Sequence, residues 1–107
     1  MGSEERPSGT MPIARGSRIL LLDHDVAARI ACERVLVSSG YEVVSVDTAQ
    51  GALQALGARD YDLVLSDLQV PDLSGLELLR TIRQIDLDLP VVLMSGSASL
   101  HGALAAV

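Results

Sequence analysis

Four short, mostly aliphatic runs at 19–22, 43–46, 63–66 and 91–94 limit what this chain can fold into. The first, Ile19-Leu20-Leu21-Leu22, shows no polar alternation at all. A strand that is apolar on both faces needs cover on both, which is the situation of a parallel sheet packed between helices. The segments between the runs carry the helical period instead. Ala28, Cys32, Val35, Leu36 and Ser39 fall on one helical face, as do Ala49, Ala52, Leu53 and Leu56, and then Leu78, Leu79 and Ile82. The alternation β-α-β-α-β-α-β-α with short connections predicts an α/β fold, a doubly wound parallel sheet. Its last helical segment is expected over 99–107.

Helix boundaries are also legible. Asp25 is suited to cap the first helix and Asp47 or Thr48 the second, while Gly40 and Gly57 are expected to stop them. Cys32 falls on the buried face of the first helix and is read as a core residue. Residues 1–17 carry Gly2, Pro7, Gly9, Pro12 and Gly16 without periodicity, and are expected to form a disordered tail. Residues 18–107 then form the folded domain.

Composition narrows the function. Eight basic residues, all arginine, stand against fourteen acidic ones, for a net charge of −6. Direct nucleic-acid binding relies on clustered positive charge, so this segment is not expected to bind nucleic acid. One cysteine excludes an internal disulfide and a multi-cysteine metal site. No run approaches the roughly 18 apolar residues of a membrane span, so a soluble, cytoplasmic chain is expected.

Polar chemistry gathers where strands end. Asp23-His24-Asp25 follows the first strand, Asp67 the third and Ser95 the fourth. In open α/β sheets ligands bind outside the carboxyl ends of the strands, at the switch point of the strand order. Neighbouring first, third and fourth strands would bring these groups to one crevice. Grouped carboxylates repel unless a cation joins them, and magnesium suits a shallow carboxylate site. Asp67 reads either as a nucleophile toward a phosphoryl group or as a plain capping residue.

Several ordered motifs then resemble the receiver domain of two-component response regulators. They are Ile19-Leu20-Leu21-Leu22-Asp23-His24-Asp25 with Arg29, Leu65-Ser66-Asp67 with Val70-Pro71-Asp72-Leu73-Ser74-Gly75, and Pro90 to Ser95-Gly96. The resemblance implies a flavodoxin-like sheet of order 2-1-3-4, with the family's fifth strand and helix missing. It implies that Asp67 accepts a phosphoryl group from a sensor histidine kinase, with Mg2+ as cofactor, and regulates an output domain in a phosphorelay. Asp23 would line the acidic pocket, Gln69 would offer its backbone carbonyl to the metal, and Ser95 would be the switch hydroxyl. Such a chain is a phosphoacceptor module, not an enzyme beyond its own phosphorylation and dephosphorylation.

Two positions depart from that pattern. His24 stands where the family has a metal-ligating acid, and reads as a weakened ligand, a ligand for a softer metal or a surface histidine beside a site rebuilt around Asp25. The family's lysine lies beyond Ser95 by more residues than remain, so the chain reads as a truncated receiver. An uncovered fourth strand would then be an edge open to homodimerisation. The alternative function is a degenerate receiver serving as a phosphorylation-independent interaction module. A metal-dependent phosphatase is a third reading, disfavoured because position 69 is Gln where an Asp-x-Asp motif would need a second acid.

Overall fold

The computed structural model describes residues 14–94. The elements run β1 (Arg18–Leu22), α1 (Val26–Ser38), β2 (Glu42–Val46), α2 (Ala49–Ala58), β3 (Leu63–Asp67), α3 (Gly75–Ile85) and β4 (Val91–Met94). The strands form one parallel sheet of order β2-β1-β3-β4. Ser95 and the helix expected over 99–107 lie outside the described residues.

The unbroken apolar strands are explained by two cores, one on each side of the sheet. Successive side chains on a strand point to opposite faces. Ile19, Leu21, Leu63 and Leu65 therefore pack with Cys32 and Leu36 of α1. Leu20, Leu22 and Val64 pack on the other face with Ala49 and Ala52 of α2 and Leu78 and Ile82 of α3. Every one of the six strand leucines and isoleucines in these two sets is fully buried. Each contributes on the order of 1.5–3 kcal/mol relative to exposure. The Cys32 thiol is buried in the α1 core, and burial pushes its pKa up to about 11.

Capping positions the loops at the carboxyl edge. Asp25 caps α1, accepting the Ala28 N–H at 3.0 Å. At the far end Gly40 takes a φ of +97°, its N–H donating to Val37 and that of Tyr41 to Leu36. This pair of bonds closes the helix in a Schellman turn, which needs the left-handed residue. Ser39 belongs to that turn and is exposed, which corrects its expected place on the buried face. Thr48, not Asp47, caps α2 by accepting the Gly51 N–H. Gly57 does not stop α2, which continues to Ala58. Gly57 shows no positive φ there, so the helix passes through it at modest cost.

The loop from Asp67 to α3 is pinned at several points. Leu68 donates its N–H to Met94 and accepts that of Gly75, and Gln69 bridges to Ser74. Ser74 and Glu77 then form a reciprocal capping box on α3. The Asp72 carboxylate reaches across to α2, with one oxygen accepting from Ala49 N–H and the other from Gln50 N–H, both at 3.0 Å. These two bonds hold the Asp72 carboxyl below the usual carboxylate range.

Two substitutions test this loop. A carboxyl held low in the folded state adds stability above its unfolded pKa, about 3.9, and that stability is lost as pH falls through the folded value. Asp72→Ala should therefore lower the melting temperature at pH 7, with the gap to wild type closing below about pH 4. A gap unchanged between pH 7 and pH 3 would count against the α2 contact. A Cβ at Gly75 would lie 2.9 Å from the Leu68 carbonyl oxygen and 3.1 Å from its Cα. Neither backbone atom can swing aside, so Gly75→Ala should cost about 1–3 kcal/mol in denaturant unfolding.

Candidate functional site

Parallel pairing of β1 with β3 sets Leu22 opposite Ser66, so the next residues, Asp23 and Asp67, come side by side at the carboxyl edge of the sheet. Asp23 extends the edge by donating its N–H to the Val46 carbonyl at 3.1 Å. Its side chain is buried, and Oδ1 accepts the Asp25 N–H at 3.0 Å. Burial raises the Asp23 pKa, and the nearby Asp67 charge raises it further, against the lowering effect of that N–H. Asp67 is 13% exposed, and its Oδ1 accepts the Gln69 N–H at 3.2 Å. Beneath it, the buried Ser66 hydroxyl donates to the Asp67 carbonyl at 2.9 Å.

His24 joins the pair. Its Nδ1 lies 3.3 Å from Asp67 Oδ2, although the imidazole is 48% exposed. One ligand atom each from Asp23, His24 and Asp67 fit within 4.8 Å of one another. Asp25 takes no part in this group, because its carboxylate faces the α1 N-terminus. Among the described residues no arginine forms an ion pair with Asp23 or Asp67. Arg29 serves differently: it donates Nη1 to the Asp23 carbonyl at 2.7 Å. That bond ties the first turns of α1 to the end of β1.

Asp23, His24 and Asp67 are thus brought together, and Gln69 lies beside them in the loop. The sequence reading missed Asp72, which secures the loop from the side of α2. Its only local signal was a carboxylate next to Pro71, which also describes an ordinary turn residue. A groove lined by Ile30, Glu33, Arg34, Val37 and Ser38 lies on the outer face of α1 and shares no residue with the acidic group.

Two carboxylates at a partly desolvated strand edge invite a cation, since burial and the Asp67 charge both raise the cost of charging Asp23. Their oxygens suit a hard ion such as Mg2+, whereas the His24 nitrogen does not.

The profile of the response regulator receiver domain matches residues 19–107. The cell cycle transcriptional regulator CtrA of Caulobacter vibrioides is 36% identical over 83 residues, covering 78% of this chain and 36% of CtrA. The chain thus spans about a third of the length of the curated relatives it matches. The response regulator TrrA of Thermotoga maritima, solved in complex with Mg2+-BeF, superimposes with a TM-score of 0.70 at 32% identity. That match covers 73% of this chain and 68% of TrrA. NtrX of Brucella abortus gives 0.72 at 32% identity, over 85% of this chain and 21% of NtrX. The sheet order, the acidic strand ends and these likenesses agree: the chain belongs to the response regulator receiver domain family.

Proposed function

We propose that this receiver domain accepts a phosphoryl group on Asp67 from a phosphohistidine of a sensor histidine kinase, and so controls an output domain of the same protein. The observation that carries the reading is the pairing of Asp67 with the buried Asp23 at adjacent strand ends. An Asp67 oxygen attacks phosphorus as the bond to the histidine nitrogen breaks, leaving an acyl phosphate on the chain, and the departing nitrogen takes a proton from water to leave a neutral imidazole on the kinase. A bound divalent cation supplies charge neutralisation as phosphoryl oxygens approach the carboxylates. Asp23, Asp67 and the Gln69 backbone carbonyl would hold Mg2+, and TrrA was solved with that ion. Within the chain, the Gln69 N–H orients the Asp67 carboxylate by donating to Oδ1, while Oδ2 faces the His24 imidazole. Ser95 is assigned the switch hydroxyl, donating to the phosphoryl oxygens.

The chain is a signalling module, and the chemistry assigned to it is its own phosphorylation and autodephosphorylation. CtrA, named a transcriptional regulator, extends well past the matched region, which supports an output domain as the controlled partner. Among the described residues no helix is long and apolar enough to cross a membrane, which accords with work in the cytoplasm. β4 pairs only with β3 among the described residues, and we assign its other edge to a homodimer contact.

Incubation with acetyl phosphate and Mg2+ should add the mass of one phosphoryl group to the wild-type chain and none to Asp67→Ala. A wild-type chain that gains nothing, or an Asp67→Ala chain that still gains it, defeats the assignment. Sedimentation at micromolar concentration should give a dimer mass; a monomer at that concentration rules out the β4 contact.

A further inference from the structure

The acidic site differs from an all-oxygen one at His24, and the difference is directed inward. The imidazole Nδ1, not just the backbone, lies within 3.3 Å of Asp67 Oδ2. Asp25, the neighbouring carboxylate that would restore a third oxygen, is exposed and engaged with the Ala28 N–H. The convergent side-chain donors are therefore two carboxylates and one ring nitrogen, all within 4.8 Å. Cys32 adds no sulfur ligand, since its thiol is buried in the α1 core.

Magnesium demands oxygen donors in near-octahedral array and sheds its waters reluctantly. Imidazole suits first-row transition ions, whose affinity for such sites climbs from Mn2+ through Co2+ and Ni2+. We infer that Asp23, His24 and Asp67 form a mixed nitrogen–oxygen site that takes a first-row transition ion in preference to Mg2+, with His24 the ligand that determines the selectivity. The inference rests on the acidic group being the cation site of the receiver. A carboxylate-only site also favours transition ions somewhat, so the imidazole's share is read from a difference between variants. His24 is half exposed and packs in neither core, so its replacement leaves the fold intact.

The test is titration calorimetry with Ni2+ and with Mg2+ on the full chain. All proteins carry His101→Ala, which removes the one other histidine. His24→Ala should weaken Ni2+ binding by about tenfold or more, the lower end of what loss of even an outer-shell partner costs. Mg2+ binding should change by less than about twofold, since imidazole contributes little to that ion. His24→Asp should strengthen Mg2+ binding and lower the Ni2+ to Mg2+ preference by about tenfold or more. Asp23→Asn should weaken both. Equal Ni2+ affinity in the His24 and His24→Ala proteins overturns the inference, as does an absence of Ni2+ binding in the protein that keeps His24. If the imidazole instead serves Asp67 only as a counter-charge, His24→Ala should bind both ions more tightly, which also overturns it. No phosphoryl transfer enters this readout. A chain that binds Ni2+ through His24 yet resists acetyl phosphate refutes only the phosphoacceptor assignment, and the converse refutes only the metal preference.

Discussion

Parallel pairing between β1 and β3 is the constraint from which the site follows. Register places Leu22 opposite Ser66, and each strand ends one residue later in an aspartate. A slip of one residue would turn every side chain of β3 to the opposite face. Leu63 and Leu65 would then leave the α1 core, and Val64 would leave the core under α2 and α3. The apolar interior therefore holds the two carboxylates beside each other, although neither carboxylate belongs to it. Asp23 pays for that arrangement with desolvation, visible as its raised pKa.

Around this edge, the loops are held by polar contacts of modest individual strength. Arg29 fastens the turn after β1 from below, and Asp72 fastens the turn after β3 to the first amides of α2. The negative carboxylate of Asp72 also faces the positive end of that helix. Gly75 permits the close return of the chain past Leu68. Geometry at Asp67 thus depends on residues whose side chains never approach it.

Much of the framework was legible because a single physical demand repeated itself. Apolar strands such as 19–22 have one common explanation, burial on both faces, and the order β2-β1-β3-β4 followed from the family likeness. The Asp25 cap was equally plain, since an acid directly after a strand and before a helical period has an obvious role. Asp47 and Thr48 were not separable, because both residue types cap and only the backbone path chooses Thr48. Gly57 misled because glycine ends helices only where a left-handed residue is needed. Ser39 fits the helical period but comes after the last turn, where periodicity no longer describes direction. Asp72 binds amides 22 and 23 residues away, a relation that no local pattern carries. For His24, spacing located the residue, but only coordinates could turn its ring toward Asp67.

β3 is hydrogen-bonded along both margins, to β1 and to β4, and its side chains feed both cores. A ribbon so clamped, like β1 beside it, is held on both margins and both faces. Bulk or charge added at its tip cannot be absorbed by sliding the ribbon, whose displacement would disrupt both ladders and both interiors together. The adjustment must fall on the turns leaving the rim, where single contacts such as those of Arg29 and Asp72 stand in place of ladders.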